Sequence, residues 1–189
     1  MTNAPNPLPF SITTSTVRML HRSIAIDAGF QQFTTALQKI LGHFPRDVEP
    51  EMIARPQLAE QRIKAAEGAE RLMIILVFDH GAALNIVSAR ANAKQYLIGN
   101  PLTAVSMTRH EIRAALYAPL RVLVFEPEVG RTIVEYDQPS SQFGQFGCDE
   151  VTQVALAQDG GLERVLAEAA ELSLRPDSRT VSTAASVGA

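Results

Sequence analysis

Residues 96–147, YLIGNPLTAVSMTRHEIRAALYAPLRVLVFEPEVGRTIVEYDQPSSQFGQFG, constrain the fold more than any other part of the chain. Two corners punctuate the run, Gly99-Asn100-Pro101 and Tyr136-Asp137-Gln138-Pro139. Glycine reaches backbone conformations closed to other residues, proline fixes φ and removes a donor, and Asn and Asp bond to nearby backbone, so each corner has few ways to turn. Pro101 can open a helix, because the first helical turn leaves its amides unpaired in any case. Downstream, 119–126 and 131–137 flank residues 127–130 and predict a β-hairpin. On its second arm Thr132, Val134 and Tyr136 face inward, while Arg131, Ile133, Glu135 and Asp137 face outward. A hairpin requires antiparallel neighbours, and no strand leads into a glycine-rich phosphate loop, so a doubly wound nucleotide fold fits poorly.

The remainder extends this frame. Residues 1–15 carry three prolines and read as a flexible segment. Residues 16–26 alternate as a strand, and Asp27 then offers an N-cap to an amphipathic helix over 28–41, with Phe30, Phe33, Leu37, Ile40 and Leu41 on its apolar face and Gly42 ending it. Residues 43–56 read as a proline-rich loop, and 57–67 as a helix with a weak apolar stripe through Leu58, Ile63 and Ala66. The unbroken LMIILVF run within 71–79 predicts a central strand covered on both faces. A helical turn over 82–87 and a strand over 94–98 lead into the Asn100 corner. Beyond it Leu102, Val105 and Met107 face inward, and Leu116 joins Met107 in the core. From Asp149 the apolar positions keep one helical phase across Asp159-Gly160-Gly161, so this helix is either kinked there or split, with Asp159 as a new cap. The tail, 175–189, rich in Ser, Thr and Ala, reads as disordered. Residues 16–174 form one domain, an α+β two-layer sandwich with a mainly antiparallel sheet of four to five strands and helices on one face.

Composition removes several function classes. A net charge of -3 over 189 residues, with no basic segment, gives no electrostatic footprint for nucleic acid. No run approaches the length of apolar residues that spans a membrane, and the opening residues lack the pattern of a secretory signal. Cys148 is the only cysteine, which excludes an intrachain disulfide, a CxxC pair and a cysteine-built zinc site. The expected compartment is the cytoplasm.

Candidate chemistry is sparse. Asn100 can present polar groups to a ligand beside a helix N-terminus, a natural anion site, or can simply cap a tight corner. Asp79-His80, His110-Glu111 and Asp137 supply imidazole and carboxylate for acid-base or metal chemistry if the fold gathers them. No HxH, HxxxH or HxxE pattern sets two metal ligands on one element, and no metal is expected. Ser140-Ser141 lack a nucleophile elbow and suit a turn after Pro139. Cys148 precedes a helix, where a dipole can lower a thiol pKa, or it packs as a small residue. Phe143 and Phe146 form a packed corner or a lid.

The order FDHGA at 78–82, GNP at 99–101, Met107, Leu116 with Pro119-Leu120-Arg121-Val122, and Tyr136-Asp137-Gln138-Pro139 resembles the domain-of-unknown-function family numbered three hundred and two. The resemblance implies a small α+β domain, often found as a homodimer. It implies no assigned activity, and the sequence names no cofactor. The chain departs from the commonest pattern in LNIVSARANAKQY after His80 and in SSQFGQFG after Pro139.

Together these readings predict a homodimeric module that binds a small molecule in a pocket built from His80, Asn100 and Asp137. One alternative is an enzyme using His80 or His110 with Asp137 as acid and base. The other is a protein whose only activity is dimerisation.

Overall fold

The computed structural model describes residues 10–175. Most of the expected flexible segment, 1–9, and nearly all of the expected tail, 176–189, lie outside the described residues. In chain order the elements are β1 (His21–Ile26), α1 (Phe30–Ile40), β2 (Gly42–His43), α2 (Glu49–Ala54), α3 (Pro56–Ala65), β3 (Met73–Asp79), α4 (His80–Leu84), β4 (Asn92–Gly99), α5 (Pro101–Thr108), β5 (Leu120–Glu128), β6 (Arg131–Asp137), α6 (Pro139–Phe143) and α7 (Asp149–Ser173). The six strands form one sheet in the order β1-β6-β5-β4-β3-β2. All neighbours are antiparallel except β2 and β3. The mixed α+β architecture is the one expected, with one strand more than the expected four to five.

That extra strand is β2, in a stretch read as loop. Two residues carry no alternation to detect, and the strand exists because the Gly42 amide donates to the Leu72 carbonyl at 3.1 Å and the Phe44 amide to Ile74 at 3.0 Å. Gly42 serves this contact rather than a left-handed helix cap. A Cβ on Gly42 would collide with the Ala66 carbonyl, and one on Gly68 with the Gly42 amide nitrogen. The two glycines let two backbone segments touch.

Burial of apolar side chains builds the main core. Alternate residues on β4, β5 and β6, among them Tyr96, Ile98, Val122, Val124, Val134 and Tyr136, pack against Phe33 and Leu37 of α1 and Leu162, Val165 and Leu166 of α7. The inward set on β6 is the expected one: Thr132, Val134 and Tyr136 are buried. Buried Thr132 donates its hydroxyl to the Ala28 carbonyl at 2.7 Å and so fastens the turn from β1 into α1. Asp27 does not cap α1. Three residues are spent on the turn, and Gly29 occupies the N-cap without a side-chain bond. A smaller cluster joins Met73 to Val48, Ala59 and Ile63 beside α2 and α3.

Helix α7 runs unbroken through Gly160 and Gly161. Asp159 starts no new helix; it receives the Ser140 amide at 2.9 Å and the Gln138 carboxamide at 2.8 Å, tying α6 to the side of α7. Gly161 lies under Glu70, whose carboxylate accepts a two-pronged contact from Arg164, both distances 2.8 Å.

The strand over Met73–Asp79 is not covered on both faces. Its partner β2 reaches only Met73 and Ile74, so the rest of β3 is a sheet edge. Leu76 and Phe78 are 41% and 49% exposed, on the face opposite the main core. Register extends that face across the sheet: Leu76 lies beside Leu97, Leu123 lies one strand away beside Glu135, and Phe125 pairs with Ile133. None of these apolar residues joins either core cluster. One face of the sheet is therefore open among the described residues.

Candidate functional site

A pocket of about 240 Å³ lies where the Asn100 corner meets the start of β5. Its walls are apolar side chains brought together from distant segments: Phe44 after β2, Ile75 of β3, Ile98 of β4, Met107 of α5, Leu120 of β5 and Phe143 of α6. Ile75 is the extra residue where the β3–β4 register shifts, and such a bulge re-aims a side chain. Gly99 keeps the floor low; a Cβ there would come within 3.3 Å of the Pro119 ring. Of the polar side chains, Asn100, Thr103 and Gln158 border the space, and no ionisable residue does.

Asn100 is buried and its side chain is fully engaged. Its Nδ2 donates to Glu67 Oε1 at 2.6 Å and to the Arg71 carbonyl at 3.0 Å, and its Oδ1 accepts the Leu102 amide at 2.9 Å. Asn100 thus caps α5 and also clamps the 67–71 turn to the corner. It shapes the pocket through the backbone it fixes.

The three residues expected to share a pocket do not meet. His80 follows Asp79, at the end of β3 that pairs with Lys94, whereas Asn100 follows Gly99, which pairs with Met73 at the other end. Six strand residues separate those ends by ~20 Å. His80 is exposed, its ring edge-on to Phe78 with centroids 4.6 Å apart. A larger polar concavity of about 580 Å³ lies nearby, bordered by Asp79, Lys94, Arg90 and Glu126, but His80 does not line it. Asp137 points to the open face of the sheet, where β1 pairs with β6.

There Asp137 meets an imidazole that sequence reasoning missed. His21 Nδ1 stands 3.0 Å from Asp137 Oδ1, and His21 Nε2 is 3.7 Å from Glu135. The hydrogen bond to Asp137 is the main cause that raises the His21 pKa above its ordinary value, with further help from Glu135 against a small loss of hydration. Neither His80 nor His110 is paired with Asp137. His110 instead accepts the Arg109 guanidinium at 2.9 Å, and its neighbour Glu111 is held at a pKa of about 2, chiefly by its side-chain bond to Arg113. Among the described residues no cluster of three His, Cys, Asp or Glu side chains could hold a metal.

The other candidates have structural partners. Ser141 Oγ donates to the Gln138 carbonyl at 2.8 Å and accepts the Leu20 amide at 2.9 Å, and Ser140 Oγ accepts from Gln138. The Cys148 thiol lies 3.3 Å from Glu150. Phe143 is buried and Phe146 packs beside Tyr117, with the Arg113 guanidinium over its ring, so this stretch is a packed corner. Leu116 and Val105 are not core residues, being 77% and 60% exposed. Leu116 lies in a 3₁₀ turn over Ile112–Tyr117, whose three-residue period buries Ala114 instead.

The family described as domain of unknown function DUF302 matches residues 53–169, which hold β3 through β6, the pocket corner and most of α7. The chain belongs to the DUF302 family. The crystal structure of an uncharacterized conserved DUF302 protein from Bacillus stearothermophilus is similar in fold, with a TM-score of 0.57 over 79% of this chain and 97% of that one, at 13% sequence identity. A comparison with curated protein sequences gives no match. Among the described residues no helix is long and apolar enough to cross a membrane.

Proposed function

We propose that this DUF302 chain is a small-molecule-binding module whose site is the pocket beside Asn100. The pocket itself supports this: a cavity of about 240 Å³ with apolar walls drawn from six segments, set against a corner that three side-chain bonds hold in place. A site fixed before its ligand arrives loses little entropy on binding. The volume falls below the ~300–1,000 Å³ usual for drug-sized ligands, so the occupant is compact. Asn100 acts here as a positioning residue. The acid-base alternative has weaker support, because Asp137 faces His21 on an open sheet surface instead of His80 or His110 in a cleft. A fragment titration followed at the methyl resonances of Met107, Ala104 and Ile98 tests the reading. Compact fragments should shift these methyls at millimolar concentration, and Ala104→Phe should abolish the shifts. Silence from every fragment in the unmodified protein overturns it.

The open sheet face favours a homodimer as the working form. Leu76, Phe78, Leu97, Leu123, Phe125 and Ile133 lie on this face with Gln95, Arg121 and Glu135 set among them, a mixed surface that a second copy would cover in a self-complementary way, and a standard interface needs ~800 Å² from each partner. Sedimentation should give a dimer at high micromolar concentration and a folded monomer for Leu123→Lys. A monomeric unmodified protein ends this reading. A single cysteine accords with the reducing cytoplasm as the place of work.

A further inference from the structure

We propose that the pocket beside Asn100 selects an uncharged, mostly apolar molecule carrying one hydrogen-bonding head, which the Gln158 carboxamide and the Thr103 hydroxyl receive. This rests on the reading of that pocket as a binding site, and adds the class of ligand. Three observations lead to it.

The first is the state of the helix end. A helix N-terminus ordinarily offers free amides to an anion. At α5 little of that offer is left. Pro101 has no amide, the Leu102 amide goes to Asn100 Oδ1, and the Ala104 amide already belongs to the helical ladder, donating to the Asn100 carbonyl at 2.9 Å. Of residues 101–103 only Thr103 keeps an amide for a ligand, one donor where an anion site offers several.

The second is charge. No ionisable side chain borders the pocket, and the nearest one in the bonding network is the Glu67 carboxylate held against Asn100 Nδ2. An anionic ligand would surrender hydration to apolar walls, gain no cation and approach a carboxylate. A cationic ligand would also lose hydration, with Glu67 already bound to Asn100 and Arg71. Burying an unpaired charge is strongly unfavourable, so either ion is rejected.

The third is what remains free. Gln158 and Thr103 line the pocket, both half-buried, and neither side chain has a hydrogen-bond partner among the described residues. A carboxamide offers both donor and acceptor, and a hydroxyl adds either. A ligand head that lacks polarity would leave these groups to water alone. An amide, alcohol or similar neutral head satisfies them.

Three probes on one ring separate the possibilities: benzamide, benzoate and toluene, titrated at pH 7 into the full chain and followed at the Met107 methyl and by calorimetry. Benzamide should bind about threefold to tenfold tighter than toluene, the worth of one net hydrogen bond. Benzoate should bind at least about tenfold more weakly than benzamide, the sign of an unpaired buried charge. Gln158→Leu should remove the benzamide advantage while leaving toluene binding in place, with Thr103→Val as a second variant that removes part of it. Benzoate binding as well as benzamide, or a benzamide advantage untouched by both variants, overturns the neutral-head assignment and leaves the pocket standing as a site. Failure of all three probes to move the Met107 methyl overturns the site and this inference together.

Discussion

The carboxamide of Asn100 donates at 2.6 Å to the carboxylate of Glu67, thirty-three residues earlier in the chain. Through this bond and its contact with the Arg71 carbonyl, one side chain joins the end of β4, the start of α5 and the turn leading into β3. Truncation to alanine removes a helix cap, takes from the Glu67 carboxylate the shorter of its two hydrogen bonds, leaving it Arg71 at 3.4 Å, and deprives the Arg71 carbonyl of the Asn100 donor. We expect Asn100→Ala to cost about 2–4 kcal/mol, the sum of a cap and a lost charged hydrogen bond. Asn100→Asp should be worse at neutral pH, because it sets a second carboxylate against Glu67, and should recover toward acid pH as the pair takes up a proton. Denaturant unfolding at pH 7 and pH 5 checks both. An aspartate variant as stable as the parent would show that the Glu67 contact contributes nothing.

His21 and Asp137 give a pH-dependent link between the edge strand β1 and the hairpin. The His21 pKa is raised in the folded chain, chiefly by the Asp137 hydrogen bond. Its stabilising contribution is therefore fully present below the ordinary histidine value of ~6.5 and is lost as pH rises through the higher folded value. His21 is more than half exposed, so solvent screening keeps the effect small. Imidazole NMR titration should place His21 above the unfolded value, and Asp137→Asn should bring it back. An unchanged His21 titration in that variant would refute the pairing.

How legible these relationships were depends on sequence distance. The hairpin and its inward set, Thr132, Val134 and Tyr136, follow from alternation over adjacent residues, and α1 follows from the spacing of Phe30, Phe33 and Leu37. Asn100 was readable as a cap because its target amide is only two residues on. Its bond to Glu67 was not, since nothing local marks a partner across a loop and a strand. His21 and Asp137 are 116 residues apart and meet only because β1 pairs with β6. The apolar run of β3 was misleading in a physical way: a strand with two apolar faces reads as central, yet here the second face is left open at Leu76 and Phe78.

The contact between Gly42 and Gly68 makes a second stability test. A methyl at position 68 would fall on the Gly42 and Leu41 backbone, which cannot move aside as a flexible side chain can. Gly68→Ala should cost about 3 kcal/mol or more and should loosen β2 from β3. Gly144 is the control. It has helical backbone angles and open space where a Cβ would stand, so Gly144→Ala should be neutral or stabilise by about 0.4–1 kcal/mol. Thermal unfolding of the two variants gives the comparison, and equal effects would contradict the close approach.

Met107 and Leu116 looked alike in sequence and stand in opposite environments. Met107 is 3% exposed and belongs to the main core while also bordering the pocket; Leu116 projects into solvent from the turn before β5. Removing a buried methionine side chain forfeits its transfer free energy and leaves a cavity, so Met107→Ala should cost about 2–5 kcal/mol. Leu116→Ala should stay within about 0.5 kcal/mol, as surface changes do. Because the methionine also forms part of the pocket wall, its truncation should enlarge that space, and a bulkier fragment excluded from the parent should then bind to the variant. Chemical unfolding measures the first two effects and fragment NMR the third. A neutral Met107→Ala would mean that this side chain lies in an open cleft and supports no core, and the pocket would then lack the rigid wall on which its binding role depends.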